Sequence, residues 1–206
     1  MTYSHSPPYL LKALTRKMIT WEYPPGQKKL YLSFDDGPHP EVTPRVLQLL
    51  DNFGARATFF LLGRQAQAQP ALMQEIVSRG HALGNHSYSH PDGWRTPGKQ
   101  YLADVLRCSA VVPSQLFRPP YGRLLPGQLK LLRRAGFRPV MWSVLTGDFD
   151  TKTAPEKLLE KTLHHTRDGG ILVLHDSPGA AGHCLYLLPR ILDHFAGKGF
   201  SFDAIS

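Results

Sequence analysis

The spacing of apolar and polar residues predicts strands and helices that follow one another along the chain. Residues 29–34 alternate between polar and apolar side chains, as a strand with one buried face does, and residues 57–62 form a short apolar run typical of a buried strand. Between them, apolar residues recur at helical spacing after Pro40, and this predicted helix ends near Gly54. The pattern then predicts strands at 82–85, 116–118, 139–144 and 171–174, helices at 71–78, 99–111, 128–135, 155–165 and 185–195, and a closing strand at 200–205.

Strands that alternate with helices of about ten residues or more predict parallel β–α–β units, and so an α/β protein. About seven such units in a single domain favour a small β/α barrel over an open sheet. We expect residues 28–206 to form this domain, and residues 1–27 to form an N-terminal extension that packs on its outside or is partly ordered. In a barrel and in an open sheet alike, functional groups are expected at the carboxyl ends of the strands.

The size and charge of the chain narrow the classes of function. With 206 residues, 42% of them hydrophobic and 19% charged, the composition fits one globular domain with its own core. A formal net charge of +8 is compatible with nucleic acid, an anionic membrane or an anionic cell-wall polymer as a partner. Because Lys and Arg are spread along the whole chain and no basic run is interleaved with aromatic residues, we interpret the charge as a solvated surface and expect no nucleic-acid partner.

The cysteines and the apolar runs bear on the cellular compartment. Cys108 and Cys184 lack the spacing of metal ligands; they could form one disulfide, but two free thiols in a reducing compartment are the favoured interpretation. The first 23 residues contain no apolar run long enough for the core of a signal peptide, and no stretch approaches the roughly 18 apolar residues of a membrane span. We therefore expect no membrane span and a cytoplasmic location for the printed chain, with export by way of a removed leader left open.

Polar residues that can carry chemistry follow successive predicted strands. Because the carboxyl ends of parallel strands meet at one rim of a barrel, we expect these residues to share one site. They are Asp35 and Asp36 after the first strand, His86 after the third, Arg118 after the fourth, Asp148 after the fifth and His175 after the sixth.

Asp36, His86 and His90 form a candidate metal site. The adjacent carboxylates of Asp35 and Asp36 would repel one another without a cation, although acidic residues before Gly-Pro are also common in plain turns. His86 and His90 are four residues apart, so that on one helical turn both imidazoles would face the same side. In a chain with ten histidines, such a pair also arises readily by chance. Together with Asp36 the pair makes a set of two histidines and one carboxylate, which leaves positions for water and substrate and predicts a hydrolytic divalent metal site.

His175, Asp148 and Arg118 extend this candidate site. His175 ends an apolar strand, and it is either a general acid for the leaving group or a core histidine bonded to a carbonyl. Asp148 could pair with its imidazole and keep it charged. Arg118 could form a bidentate pair with a carboxylate such as that of Asp35, in a catalytic or a purely structural role.

Five short segments occur in an order that carries a family resemblance. They are Ser-Phe-Asp-Asp-Gly-Pro (33–38), His-Ser-Tyr-Ser-His (86–90), Arg-Pro-Pro-Tyr-Gly (118–122), Trp-Ser-Val-Leu-Thr-Gly-Asp-Phe (142–149) and Leu-Val-Leu-His-Asp (172–176). In this order they resemble the motifs of the polysaccharide deacetylases, the NodB-homology domains of carbohydrate esterase family 4. Each motif alone has low specificity, but five in order are highly specific, and the resemblance covers about residues 28 to 204.

The resemblance implies a distorted (β/α)7 barrel, in a single domain, that holds one divalent metal ion. Zinc is the first choice, with cobalt or nickel as alternatives. The resemblance implies Asp36, His86 and His90 as the metal ligands. It implies Asp35 as general base, oriented by Arg118, and His175 as general acid, supported by Asp148. It also implies that the Tyr121 main-chain N–H helps to hold the oxyanion, and that a small apolar pocket for the acetyl methyl group is formed by Leu172, Leu174 and Trp142.

Three residues depart from the usual motifs of this family. Ser33 stands where Thr is usual, Leu145 where many members have Asp, and Phe149 where Trp follows the aspartate of the fourth motif. The metal ligands and both acid–base residues are intact, so we expect an active site. The changes at Leu145 and Phe149 lie beside the substrate, and we expect them to alter specificity rather than metal binding.

The function that these residues favour is removal of acetyl groups from an N-acetylated or O-acetylated sugar polymer or oligomer. One alternative is hydrolysis of another small non-peptide amide at the same site, because a fold does not fix its substrate. Another is a catalytically silent carbohydrate-binding module, against which Asp35 and His175 argue, since binding alone needs neither. The sequence leaves open the glycan, the native metal and the oligomeric state.

Overall fold

A computed structural model describes residues 5–206 and shows a curled parallel sheet surrounded by helices. The first four residues of the predicted extension lie outside the described residues. The strands are β1 (Lys29–Asp35), β2 (Ala57–Leu61), β3 (Ala82–Asn85), β4 (Leu116–Phe117), β5 (Arg138–Pro139), β6 (Val144–Leu145), β7 (Ile171–His175) and β8 (Ser201–Phe202). Their order in the sheet is β5-β4-β3-β2-β1-β7-β6, and β8 pairs with β1.

One helix precedes the first strand, and the other helices lie between strands. They are α1 (Tyr9–Thr15), α2 (Thr43–Asn52), α3 (Gly63–Ala68), α4 (Pro70–Ser78), α5 (Gly98–Ser109), α6 (Pro126–Arg134), α7 (Pro155–His165) and α8 (Ala181–Ala196), with a short 3₁₀ turn at Pro120–Gly122. Four of the predicted helices agree closely with α4, α5, α6 and α7 in position. α8 begins at Ala181 rather than at residue 185, and the six-residue α3 was not predicted because it has no apolar periodicity.

The two faces of β1 have different surroundings. Leu30, Leu32 and Phe34 are fully buried in the main hydrophobic cluster, which also contains apolar residues of α2 and α8. Since side chains alternate along a strand, Ser33 and Asp35 point to the opposite, inner face of the barrel. A slip of one residue would exchange the two faces, so burial of the apolar set fixes the register that brings Asp35 to the rim.

The predicted strand 139–144 is two short strands separated by a bend, and this bend closes the barrel. Before it, the Val140 N–H donates to the Phe117 carbonyl at 2.8 Å; after it, the Ser143 N–H donates to the Ile171 carbonyl at 3.0 Å. The chain therefore pairs first with β4 and then with β7, which lie towards opposite ends of the sheet order. The bend divides the segment into β5 and β6, so the single-strand prediction is wrong in this detail, while the distorted β/α barrel is confirmed.

Residues 20–23 of the predicted extension bond to the barrel at this bend. The Met141 N–H donates to the Thr20 carbonyl at 2.8 Å, and the Tyr23 N–H donates to the Gly169 carbonyl at 2.8 Å. Upstream of this segment, α1 has no buried residue. The segment therefore bridges the two halves of the barrel wall where their own hydrogen bonding is interrupted.

Two further expectations concern membranes and thiols. Within residues 5–206, no helix has the length and the apolar character needed to cross a membrane. Cys108 and Cys184 are both buried and free, as predicted. Burial raises the pKa of both thiols, so neither is an activated nucleophile.

Candidate active site

The carboxyl ends of β1, β3, β4 and β7 meet at one rim of the barrel. The strand register pairs Asp35 with His175 and Asn85 with Phe117. The residues that follow Asn85 and Phe117 are His86 and Arg118, and Nδ1 of His86 lies 2.8 Å from the Arg118 carbonyl oxygen. The structure thus brings together side chains that the sequence separates by more than a hundred positions.

The carboxylate of Asp36 and the imidazoles of His86 and His90 converge on one point. Oδ1 of Asp36 lies 3.6 Å from Nε2 of His86 and 3.2 Å from Nε2 of His90. The potential ligand atoms of the three residues all lie within 4.8 Å of one another. Across residues 5–206, no other group of three His, Cys, Asp or Glu side chains has this arrangement.

The donor atoms of these residues fit a divalent cation. Among the described residues, the buried Oδ1 of Asp36 has no hydrogen-bond partner. Its lone pairs are therefore available to a cation held between Asp36 and the two histidines. The Arg118 carbonyl accepts the Nδ1 proton of His86, which leaves Nε2 of that ring as the metal donor. Burial lowers the pKa of His86, although Asp35 and Asp36 oppose this, so the imidazole is neutral as a ligand must be. Burial raises the pKa of Asp36, but the closeness of the histidines more than offsets it and holds that pKa well below its usual range.

A loop, and not a helical turn, brings the two histidines together. Residues 86–90 follow β3 without helical structure, so the predicted helical arrangement of the pair is wrong. Ser87 and His90 have positive φ angles of 69° and 63°, and Asp36 has one of 75°, in a region that side chains other than Gly seldom adopt. The carboxylate of Asp104, on α5, accepts two hydrogen bonds of 2.7 and 3.1 Å from backbone N–H groups of this loop. The loop is thereby held in a strained form that aims both rings at Asp36.

Arg118 is fully buried and fixes Asp35. Its Nη1 donates to Oδ1 of Asp35 and to Oγ of Ser33, both at 2.7 Å. The predicted pairing is present, but its bidentate form is wrong, because Nη2 donates to the Met141 carbonyl at 3.0 Å and Nε to the Val140 carbonyl at 3.3 Å. The guanidinium therefore ties the Asp35 carboxylate to the bend that closes the barrel.

His175 and Asp148 form the predicted acid–base pair. Nδ1 of His175 lies 2.8 Å from Oδ1 of Asp148, and Oδ2 of Asp148 accepts the His175 backbone N–H at 2.6 Å. Burial lowers the pKa of His175, but the charge and hydrogen bond of Asp148 outweigh it and raise the value from 6.5 to about 9. With Nδ1 committed to Asp148, Nε2 is the nitrogen left to exchange a proton with a substrate.

Asp176 is a buried acid for which the sequence predicted no role. Thr43 donates to its Oδ2 at 2.5 Å, and its own backbone N–H donates to the Asp35 carbonyl at 3.2 Å. A Cβ atom added to Gly37 would lie 2.2 Å from Oδ2 of Asp176, so this carboxyl packs directly against the turn that follows Asp36. Burial raises the pKa of Asp176 to about 7. The sequence shows Asp176 directly after His175 in the fifth motif, but no sequence pattern indicates that its side chain is buried.

Leu172 and Leu174 do not line the site, which corrects the pocket predicted for the acetyl methyl group. Both are fully buried in the cluster that β7 shares with α2 and α8. Because side chains alternate along β7, Val173 is the residue that shares the inner face with His175. The two leucines came from the family resemblance, which was carried over to this motif without applying the alternation.

Tyr121 and Trp142 lie next to one another at the rim. Tyr121 has a positive φ of 58°, and its ring lies edge-on to that of His90, with centroids 4.5 Å apart. A Cβ atom on Gly122 would lie 2.6 Å from the Trp142 ring, so Trp142 packs under the turn that carries Tyr121. The Tyr121 ring is thus beside the candidate ligand His90, while Trp142 packs against Gly122 and against the cluster that contains Phe60 and Ile171.

The three departures from the family motifs have different surroundings. Ser33 keeps the hydroxyl that Thr would supply, and it uses that group to donate to the Leu172 carbonyl at 2.8 Å. The backbone of Leu145 bonds to His5, with the Leu145 N–H donating to the His5 carbonyl at 2.8 Å. The Phe149 ring lies edge-on to that of His175, with centroids 5.4 Å apart. Ser33 also accepts a hydrogen bond from Arg118, so Phe149 is the departure that contacts the proposed acid and Ser33 the one that contacts the residue fixing Asp35.

Comparison with known proteins gives consistent matches to one family. The family model described as polysaccharide deacetylase matches residues 22–140, more than half of the chain. A peptidoglycan-N-acetylglucosamine deacetylase of Bacillus cereus is 31% identical over 194 residues, which cover 91% of this chain and 91% of the relative. A chitooligosaccharide deacetylase of Azorhizobium caulinodans is 36% identical over 158 residues, which cover 73% of this chain and 75% of the relative.

A solved structure shows the same fold over nearly the whole chain. It is that of the Bc1960 peptidoglycan N-acetylglucosamine deacetylase in complex with 4-naphthalen-1-yl-N-oxidanyl-benzamide. The two structures superpose with a TM-score of 0.88 at 28% sequence identity, and the match covers 97% of this chain and 95% of the other.

Proposed function

Because this chain belongs to the polysaccharide deacetylase family of carbohydrate esterases, we propose that it is a metal-dependent hydrolase that removes the acetyl group from an N-acetylated sugar of a glycan. One observation carries the proposal. Three candidate metal ligands lie at the same rim as a carboxylate fixed by Arg118 and an imidazole paired with Asp148. A module that only binds carbohydrate would need neither an oriented base nor a charged acid.

The metal ligands of this proposal are Asp36, His86 and His90. Two nitrogen donors and one carboxylate oxygen favour zinc, with cobalt or nickel as possible substitutes. A divalent cation bound there lowers the pKa of a water molecule and polarises a carbonyl oxygen. Asp35, fixed through one oxygen by Arg118, is placed to accept the proton of the attacking water.

His175 is the proposed general acid. With a pKa of about 9, its imidazole is charged at neutral pH and has a proton to give to the leaving amine. Asp148 stabilises that charge and fixes the ring through both of its oxygens. Asp35 and His175 lie side by side in the register of β1 and β7, so the base and the acid act on the same substrate group.

The acetyl group requires an apolar contact for its methyl and a donor for its oxygen. We assign the first to Trp142, as the resemblance implies, and to Val173, which replaces the leucines of β7 in this role. We assign the second to the main-chain N–H of Tyr121. The positive φ of Tyr121 is consistent with a backbone held in place for such a contact.

The test of this function is acetate release by metal-free protein with and without added zinc. The substrates are N,N′,N″-triacetylchitotriose, peptidoglycan fragments, acetylxylan and a small N-acetyl amide that is not a sugar. We expect zinc to restore release from the N-acetylated glycans and a chelator to stop it. Release that is indifferent to chelation, or confined to the amide that is not a sugar, would contradict the proposal.

Variants separate catalysis from binding in the same assay. Asp35→Asn and His175→Gln should each lower turnover by about 10²–10⁴-fold while glycan binding persists. If both variants and the wild-type protein bind triacetylchitotriose and none releases acetate, the silent carbohydrate-binding module is the better account. The cytoplasmic location expected from the sequence stays a prediction, which cell fractionation would test.

A further inference from the structure

Trp94 is a large aromatic residue at the rim whose position neither the catalytic roles nor the core explains. It is 62% exposed, and it contributes to none of the three hydrophobic clusters formed by residues 5–206. It lies in the loop 91–97, which starts directly after His90 and ends at α5. An exposed aromatic ring beside a candidate active site calls for a functional interpretation.

A continuous series of contacts connects the Trp94 ring to His90. The His90 and Tyr121 rings are 4.5 Å apart, centroid to centroid. The guanidinium carbon of Arg123 lies 5.5 Å from the centroid of the Tyr121 ring and 4.8 Å from that of the Trp94 ring. Trp94 is therefore separated from His90 by Tyr121 and Arg123, which places it beside the metal site but not in contact with it.

The loop that carries Trp94 is fixed by buried hydrogen bonds. Gln128, nearly fully buried on α6, donates to the carbonyls of Gly93 at 2.7 Å and Thr96 at 2.9 Å. A Cβ atom at Gly93 would lie 2.1 Å from the Arg123 carbonyl oxygen, so the loop packs tightly on the segment after Tyr121. These bonds hold the loop without any contribution from the Trp94 ring.

Asp92 bonds to both residues of this surface, to the backbone of Trp94 and to the side chain of Arg123. Its Oδ1 accepts the Trp94 backbone N–H at 3.0 Å, and its Oδ2 accepts Nη1 of Arg123 at 2.5 Å. The Trp94 backbone and the Arg123 guanidinium are thus fixed to one carboxylate, and the indole lies against that guanidinium before any ligand arrives. Binding to such a surface costs little ordering entropy, which is the property of a preformed binding site.

We propose that Trp94 and Arg123 form a subsite for a sugar next to the one that is deacetylated, and that the substrate is therefore an oligomer. This inference rests on the proposed function. The apolar C–H face of a sugar ring packs on an indole, and the guanidinium beside it donates hydrogen bonds to sugar hydroxyls. Because two side chains separate Trp94 from the ligand His90, the sugar at Trp94 is not the one whose acetyl group is at the metal.

The kinetic test compares Trp94→Ala with the wild-type protein on triacetylchitotriose and on N-acetylglucosamine, with saturating zinc. We expect kcat/KM for the trisaccharide to fall about tenfold, mainly through a higher KM, because the lost contact is made equally in the ground and transition states. Values for the monosaccharide should stay within about twofold of wild type. Trp94→Phe, which keeps an aromatic face, should recover most of the loss.

Phe53→Ala is the matched control for removal of an exposed aromatic residue. Phe53 is 36% exposed and follows α2 at the amino end of β2, away from the strand ends that form the site. Phe53→Ala should leave kcat/KM for both substrates unchanged. An equal loss on trisaccharide and monosaccharide in Trp94→Ala, or no loss on either, overturns the subsite.

A binding measurement separates failure of the subsite from failure of the proposed function. Calorimetric titration of triacetylchitotriose into zinc-loaded Asp35→Asn should give a dissociation constant about tenfold lower than in Asp35→Asn/Trp94→Ala. If the wild-type protein proves inactive on every glycan but this difference in affinity is present, the subsite stands and the proposed function fails. If acetate release is zinc-dependent but the two affinities are equal, the proposed function stands and the subsite fails.

Discussion

Each proposed catalytic side chain contacts a second group that fixes its orientation. Arg118 holds Asp35, Asp148 holds His175, and the Arg118 carbonyl holds His86. These partners are buried, so the hydrogen bonds they make are not exchanged for bonds to water. The chemistry of the rim therefore depends on residues that need not contact the substrate.

The pair of His175 and Asp148 gives a prediction about proton affinity. In the metal-free protein we expect the pKa of His175 to be about 9, and in Asp148→Asn to be clearly lower, because burial is then opposed only by the charges of Asp35 and Asp36. An NMR titration of the ring, identified by its loss in His175→Gln, measures both values. A pKa of His175 that is the same with and without Asp148 would contradict the pairing.

The same pair links stability to pH in a defined direction. The pKa of His175 is higher in the folded chain than the unfolded value of 6.5, so the pair stabilises the fold fully below about pH 6.5. That contribution should be lost as pH rises through about 9. Urea unfolding of the metal-free protein should show the loss, and the loss should be smaller in Asp148→Asn, where Asp35 and Asp36 alone raise the pKa of His175.

Gly37 gives a prediction about packing. In Gly37→Ala the new methyl group would lie 2.2 Å from Oδ2 of Asp176, which is buried and bonded to Thr43. We expect a cost of about 2 kcal/mol or more in the free energy of unfolding, together with weaker zinc binding, because the turn that carries Asp36 must shift. Gly182→Ala, where a Cβ meets nothing within 4 Å, is the control and should be neutral or stabilising. Equal stability of the two variants would rule out the packing role of Asp176.

At the residue scale, the residues that carry the chemistry were easier to predict than the directions of their side chains. Asp35, Asp36 and His175 could be selected as candidates from their residue type and their position at the end of a strand. The direction of a side chain needs the alternation of the folded strand, and ignoring it led to Leu172 and Leu174 in place of Val173. Burial of Asp176 could not be predicted, since it arises from a turn and a helix distant in sequence.

At the scale of elements, the strands determine where the candidate residues lie, and the loops after them determine which way the side chains point. The loop 86–90 aims two imidazoles at Asp36 through positive φ angles that its own sequence does not favour. Asp104 on α5 stabilises this form through two backbone N–H groups and through Oγ of Ser89 at 2.6 Å. The metal site thus depends on a helix that supplies none of its ligands.

Asp104→Ala tests this dependence. We expect zinc affinity to fall about 10–100-fold, the range typical for loss of a residue that supports metal ligands, with the fold retained. A competition titration with a coloured chelator measures the affinity. Asp193→Ala, on the exposed face of α8, removes a carboxylate elsewhere and should leave the affinity unchanged. Equal affinities in the two variants would show that the loop holds its form without Asp104.

Periodicity predicted most elements because each long helix and strand buries one face. It failed where an element is short or bent. The segment 139–144 appeared to be one strand, since the need to pair with β4 and then with β7 is a property of the closed barrel. The helical interpretation of residues 86–90 failed because a separation of four residues fits a strained loop as well as a helix.

At the scale of the whole molecule, the barrel brings the site together. Strand order places β1 between β2 and β7, and the carboxyl ends of β1, β3, β4 and β7 carry every proposed catalytic residue except Asp148, which follows β6. The sequence predicted this rim because any parallel β–α–β barrel gathers its strand ends. It could not predict the surface formed by Trp94 and Arg123, since that surface exists only when two loops pack on one another.

The central claim is that Asp36 holds a metal ion while the adjacent Asp35 moves a proton. Zinc content by elemental analysis and acetate release from triacetylchitotriose, measured on the same preparations of Asp35→Asn and Asp36→Ala, test it most directly. We predict one zinc per chain and turnover lower by at least about 10²-fold in Asp35→Asn, and loss of both zinc and turnover in Asp36→Ala. Full zinc content in Asp36→Ala, or turnover near the wild-type value in Asp35→Asn, would contradict the account.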